Sequence, residues 1–310
     1  MLESLWIHVL NGLYYGSILF MIASGMTIIF GVLGILNLAH GELYALGAFC
    51  TFSIVGFLAG QVASPTGPVT AIIFGLVVLA GSLAAAAVLL PIGGALEATF
   101  VRPIYDRDEV YQLLLTYGLL LVLTDVMKVG WGPSPIDVGV YSGINEIPTT
   151  ELVGISYPSY NVLVILVGVA VFAWLIWFFD RTKTGRIVRA TAINREMSTA
   201  IGISTDRMFT LVFAIGAFFA GFGGAMVSIG PGSASLGMGL DWLVLSFVVI
   251  VIGGLGSLKG AFVGALMVGI SSRVATAYYS PLELAAPFLL MVLVLLVRPE
   301  GLYGTWGEIE

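Results

Sequence analysis

The chain of 310 residues is 59% hydrophobic and 10% charged, with a mean hydropathy of +1.06; that apolar share excludes an ordinary soluble domain and marks a polytopic membrane protein. Cys50 is its single cysteine, which excludes a disulfide or a cysteine-based metal site within one chain. The formal net charge of −6, from 12 basic and 18 acidic residues, speaks against nucleic acid as a partner.

A helix needs roughly 20 apolar residues to cross about 30 Å of hydrocarbon. Runs of this kind recur at about 5–30, 42–60, 69–90, 111–130, 161–179, 207–230, 242–257, 261–279 and 284–297. The expected fold is all-α: a polytopic transmembrane helical bundle of about eight to ten spans, with 1–310 forming one transmembrane domain. The first run lacks a basic leader and a convincing cleavage pattern, so it reads as a retained helix.

Residues 30–49, FGVLGILNLAHGELYALGAF, interrupt the apolar pattern with Asn37, His40 and Glu42 among glycines. Polar side chains and irregular backbone at membrane depth are tolerated where protein or a water-filled cavity satisfies them. Two readings stand at this point: a break inside the bundle, or an interfacial loop in which His40 and Glu42 face water. Gly31-x-Leu33-Gly34-x-Leu36 recurs as Gly253-x-Leu255-Gly256-x-Leu258, a weak internal repeat. Paired glycine interruptions of this sort point to broken helices along a transport pathway, although a chain with 40 glycines also yields such pairs by chance. Gly12 with Gly16, Gly56 with Gly60, and Gly256, Gly260 and Gly264 lie four apart, a spacing that lets helix backbones approach. The pathway or hinge candidates are Gly31, Gly34, Asn37, His40, Gly41, Glu42, Gly253, Gly254, Gly256 and Gly260.

Loop charge sets the orientation. Six of the twelve basic residues, Arg181, Lys183, Arg186, Arg189, Arg195 and Arg207, fall in one connection, and Arg102, Arg107 and Arg298 fall on the same side. The connection 131–160 carries Asp137, Glu146 and Glu151 and no Lys or Arg. The basic side is expected to be cytoplasmic, which with nine spans puts the N-terminus outside and the C-terminus inside. Asp125 with Lys128, Asp241 and Arg273 are read as structural ion-pair candidates.

The segment 180–207, DRTKTGRIVRATAINREMSTAIGISTDR, has helical periodicity and a break at Gly202, with Ser204 or Asp206 placed to cap the next helix. Its basic residues suit either an anchor on anionic lipid or a docking helix for a cytoplasmic partner. Catalytic signatures are poor. His8 and His40 are the only histidines, and GGLGSLKG at 253–260 lacks the Gly-Lys-Ser/Thr of a phosphate loop. The chain is therefore read as a transport protein with no metal or catalytic site and no bound cofactor. An ion-coupled transporter or passive channel, and an integral membrane enzyme built on Asn37, His40 and Glu42, are the competing classes.

Glu196 followed six residues later by Gly202 resembles the Glu-Ala-Ala-x-x-x-Gly loop of ATP-binding-cassette import permeases, with Met197 and Ser198 in place of the two alanines. Residues 11–49, 182–207, 252–266 (IGGLGSLKGAFVGAL) and 298–304 (RPEGLYG) resemble, in order, the high-affinity branched-chain amino acid permease family, its first membrane subunit in particular. The resemblance implies one permease subunit of an importer. Its expected partners are a homologous second permease, cassette ATPase subunits that bind ATP and Mg, and a periplasmic or lipid-anchored solute-binding protein. The setting is the bilayer of a prokaryotic plasma (inner) membrane. It also implies that 181–207 is the ATPase-docking segment, with Ala192, Glu196, Ala200, Gly202 and Ile203 as coupling residues. Branched-chain amino acids are the implied cargo. Urea or short amides are the alternative, since the resemblance extends to relatives with the same Asn-Leu/Phe-Ala-His-Gly signature that serve urea, short amides and other small organic acids.

Overall fold

The computed structural model describes residues 2–59, 68–137, 149–152, 155–230 and 233–304. Gly60 and most of the acidic connection, with Glu146, lie outside the described residues. The helices are α1 (Leu2–Leu33), α2 (His40–Ala59), α3 (Pro68–Leu96), α4 (Glu109–Trp131), α5 (Ser159–Arg181), α6 (Lys183–Ile193), α7 (Arg195–Ala200), α8 (Thr205–Ile229), α9 (Met238–Gly253), α10 (Leu258–Tyr278) and α11 (Leu282–Val297). Seven are long and apolar enough to cross a membrane, and α9 and α11 are shorter apolar helices. The fold is the expected all-α membrane bundle. Its one described ladder is a short antiparallel hairpin, β1 (Thr149–Leu152) with β2 (Ile155–Pro158), in which Thr150 faces Tyr157.

The basic segment lies at one end of the bundle and the hairpin at the other. The Tyr157 hydroxyl donates to Asn11 Oδ1 over 3.0 Å, and the Tyr160 hydroxyl donates to the Met226 carbonyl, which ties the hairpin end to α1 and α8. Both of these helices run through the centre. Their buried faces carry Ile18, Ile22, Phe213, Ala217 and Met226, and small residues let the backbones close in. A methyl group on Gly16 would lie 2.8 Å from the Ala265 carbonyl oxygen of α10, so the Gly12/Gly16 face is a packing seam. Gly56 has no neighbour within 4 Å of such a methyl group.

The third span is longer than its apolar run. α3 passes straight through Pro91 to Leu96 and continues as a π-helical turn (Glu97–Val101) and a 3-10 turn (Arg102–Ile104). Proline removes one donor, but inside a membrane bundle neighbouring helices and local adjustment absorb that loss, so the span does not end at residue 90 as expected from the sequence.

The chain doubles back between α1 and α2. Ile22 precedes the end of α1 by a stretch of about 16 Å of helix, yet His40, at the start of α2, places its Nε2 3.0 Å from the Ile22 carbonyl oxygen. Extended backbone covers about 3.3 Å per residue, so the non-helical stretch 34–39 is long enough to return to the level of Ile22. Farther along α2, Ser53 accepts from Trp131 Nε1 at the far end of α4 over 2.8 Å. α2 therefore begins at the middle of the bundle rather than at its edge.

Candidate functional site

The two copies of the glycine repeat meet in space. Gly31 lies in the last turns of α1 and Gly256 lies in the break between α9 and α10; a methyl group on Gly31 would sit 3.1 Å from Gly256 Cα. Gly256 has φ +81°, a conformation open to glycine at little cost. Gly253 and Gly260 flank the same break in direct backbone contact, and Ser257 caps α10 by accepting from the Gly260 N–H over 3.1 Å. Gly254 leads into the break. The motif RPEGLYG completes this corner, for the Leu302 and Tyr303 N–H groups donate to the Ile252 and Gly253 carbonyls, each over 2.9 Å. Carbonyls at the end of α9, which no helix can satisfy, are thus taken up by the C-terminal stretch. Gly256 belongs to the break, so it does not share a helix face with Gly260 and Gly264 as their spacing suggested.

Beside this contact a cavity of about 1400 Å³ opens among α1, α4, α5, α6 and the α9–α10 break. Gly31, Gly34, Gly256, Ser257, Gln112 and Leu113 line it, together with Glu109, Asp180, Arg189 and Lys259. Two acids and two bases give it a balanced rim, and the Asp180–Arg189 ion pair spans 2.5 Å. Ala192 also faces this cavity. Asn37, His40, Gly41, Glu42, Gly253, Gly254 and Gly260 do not line it.

Asn37, His40 and Glu42 are each no more than 1% exposed, which rules out the interfacial loop. Asn37 Oδ1 accepts from the Ala39 N–H over 3.1 Å, closing the turn into α2. His40 faces a carbonyl through Nε2, so that nitrogen carries the proton. Gly41 packs on Gly239, where α9 begins, and a methyl group on Gly239 would lie 2.8 Å from Glu42 Oε1. The Glu42 carboxyl group therefore sits at the N-terminal ends of two helices, α2 and α9. Asn37 Nδ2, His40 Nδ1, Glu42 Oε2 and the Tyr44 hydroxyl are buried without a hydrogen-bond partner among the described residues. The Tyr44 ring continues inward contact through Trp242 to Tyr15, with centroids 5.1 and 5.2 Å apart, and Arg273 stands over Tyr15 at 4.5 Å while pairing with Glu283 over 2.9 Å. Of the ion-pair candidates, Arg273 is paired in this way, whereas Asp125 and Lys128 are not joined to each other.

The basic segment is two helices rather than one. Thr182 caps α6 by accepting from Gly185 N–H over 3.0 Å, and Asn194 breaks the run and caps α7 by accepting from Met197 N–H over 2.8 Å. At the other end Gly202 N–H donates to the Thr199 carbonyl and Ile203 N–H to the Ser198 carbonyl, each over 3.0 Å, with Gly202 at φ +87°. This is a Schellman C-cap, whose left-handed residue favours glycine. Ser204 stands at the N-cap of α8 without a side-chain cap bond. Ile193, Met197 and Ile201, four residues apart, are 76%, 59% and 69% exposed. Glu196 is also exposed and lines a shallow groove with Asp106, Thr199 and Ala200.

A cluster that spacing did not reveal ties the start of α8 and α7 to the end of α3. Glu97, wholly buried, accepts from Arg102 Nε over 3.1 Å and from Nη2 over 2.7 Å, from the Tyr105 hydroxyl over 2.7 Å and from the Thr210 hydroxyl over 2.7 Å. Burial, aided by the bond to Glu97, pushes the Tyr105 pKa up, so the phenol stays a donor. Arg195 stands 5.8 Å from the Tyr105 ring centroid and 5.0 Å from that of Phe209. The available signal was a lone Glu inside an apolar run with Arg five residues on, a separation that faces inward through a π turn and not through an α-helix.

The model of the family described as "Branched-chain amino acid transport system / permease component" matches residues 8–297. The chain belongs to this permease family. Among relatives, the high-affinity branched-chain amino acid transport system permease protein LivH of Escherichia coli strain K12 is 29% identical over 296 residues, covering 95% of this chain and 94% of its own length. BraD of Pseudomonas aeruginosa, of the same description, is 28% identical over 298 residues with the same coverage. LivM of Escherichia coli strain K12, a second permease protein of such a system, is 26% identical over 311 residues, covering 90% of this chain and 66% of LivM. The permease is thus a multi-pass transport subunit and not an enzyme.

Proposed function

We propose that this permease is the first membrane subunit of an ATP-driven importer for branched-chain amino acids. It pairs with a homologous second permease and receives solute from a binding protein on the outer face. The observation that carries the ATP-driven part is the corner around α7: exposed Met197 on this short, capped helix, with exposed Ile193 at the end of α6 and Ile201 just past α7, beside exposed Glu196 at the basic end. An exposed apolar face next to a charged groove suits a protein partner, here the cassette ATPase, with Ala192, Glu196, Ala200, Gly202 and Ile203 as the coupling residues. The relatives named for branched-chain amino acid transport supply the cargo. The basic end is taken as cytoplasmic, which makes the cavity beside Gly31 and Gly256 an inward-opening vestibule. The glycine contact and the buried turn at 34–42 are hinge and pathway elements in this reading.

Co-reconstitution of the permease with its sister subunit, the ATPases and the binding protein tests this. Uptake of leucine, isoleucine and valine is expected only with ATP and the binding protein. Uptake of urea or acetamide in their place would move the cargo assignment, and leucine flux through the permease alone without ATP would overturn the mechanism.

A further inference from the structure

α7 is joined to the bundle by three routes. Two are covalent, through Asn194 to α6, which packs on α1 and α5, and through 201–204 into α8. The third is Arg195, the first residue of α7, whose guanidinium lies over the rings of Tyr105 and Phe209, with a loose 3.8 Å approach to Asp106. Tyr105 and Phe209 meet edge to face at 5.4 Å. Behind them Glu97 joins the end of α3 to α8 through Arg102, Tyr105 and Thr210. A bidentate guanidinium–carboxylate pair fixes direction as well as distance, and a carboxylate with no exposure and donors from two further side chains has no other geometry to adopt. The cluster starts on a π-helical turn, an irregularity that recurs at functional positions in helices.

We infer that Arg195, seated on Tyr105 and Phe209 and backed by the Glu97–Arg102 pair, is a positioning residue that delivers displacement of the docking helix α7 to α3 and α8 together. Without the clamp, motion of α7 reaches the end of α3 only indirectly, through α6 and through the 201–204 turn into α8, which packs along α3. Both α3 and α8 border α2, so the clamp gives α7 a direct path to the bundle centre. This inference rests on the importer reading.

The test uses the reconstituted complex with leucine as the probe. Its readouts are ATPase co-purified with the permease, ATP hydrolysis rate, and leucine transported per ATP. Arg195→Ala is expected to lower leucine per ATP by about fivefold while co-purification and hydrolysis stay within about twofold, in line with typical coupling energies. Arg195→Lys, which keeps a cation over the rings, is expected to recover part of the loss. Tyr105→Phe keeps the ring under Arg195 and removes the donor to Glu97, and a drop of about twofold is expected; it also serves if the Ala variant fails to assemble. Unchanged leucine per ATP in an assembled Tyr105→Phe or Arg195→Ala complex overturns the inference, as does a parallel fall in co-purification and transport at constant ratio, which is what a purely structural role produces. If the wild-type permease assembles with no ATPase, the importer reading itself fails, and the wild-type control shows it.

Discussion

Gly202 ends α7 at φ +87°, with no neighbour within 4 Å of an added methyl group. The constraint there is conformational and not steric, so Gly202→Ala is expected to cost about 1 kcal/mol in the cap alone. Membrane insertion and bundle packing should persist while the docking turn loosens. Limited proteolysis of 181–207 in membranes, compared with ATP-driven uptake, checks this: faster cleavage and lower uptake at equal protein level are expected. Gly239 presents the opposite case. A methyl group there would lie 2.6 Å from the Gly41 carbonyl oxygen, a backbone contact between two helix starts that cannot give way. Gly239→Val is expected to exceed the roughly 1–3 kcal/mol of ordinary overpacking and to abolish a monodisperse peak in detergent. Gly118→Ala, with open space around it, should leave that peak unchanged.

At the scale of elements, α7 is a six-residue helix held by its caps, and Met197 on it is exposed, as are Ile193 and Ile201 on either side. Met197→Asp is expected to reduce ATPase recovered with the permease by about tenfold, roughly the effect of removing one good interface contact, with insertion unaffected; equal recovery would remove α7 from the interface. The spans were legible in the sequence because a run of apolar residues has few other stable arrangements in lipid. Their irregularities were not. The span read as ending near residue 90 runs on through Pro91 to Leu96, because neighbouring helices absorb the missing donor. Asn194 broke the docking segment through a side-chain cap that spacing hid behind the more visible Gly202. The alternatives left open for Asn37, His40 and Glu42 were decided by tertiary contact, His40 with Ile22 and Gly41 with Gly239, distances along the chain that periodicity does not encode. The Gly31 and Gly256 repeat was readable as a pattern, and its meaning, one backbone against the other, needed the fold. Glu97 and Arg102 were not legible as a pair because a π turn brings together residues that an α-helix separates.

For the whole molecule, sidedness is the property most open to direct trial. In a Cys50→Ser background, Leu113→Cys, on the wall of the cavity, is expected to react with a membrane-impermeant maleimide in inside-out vesicles and not in right-side-out cells. Trp6→Cys, at the exposed start of α1, should show the reverse. Labelling of both from one side would contradict the proposed orientation. The balanced rim of the cavity, with Glu109, Asp180, Arg189 and Lys259, suits a zwitterion released from a weak site, since conduction requires that the solute leave as readily as it enters. The central claim, that this permease works as one part of an ATP-driven assembly, is tested most directly by affinity purification of the tagged chain from its native membrane in mild detergent, followed by mass spectrometry of what remains bound. The account predicts a cassette ATPase and a second permease of similar size; recovery of the chain alone or as a homo-oligomer, under conditions that keep a known importer intact, would contradict it.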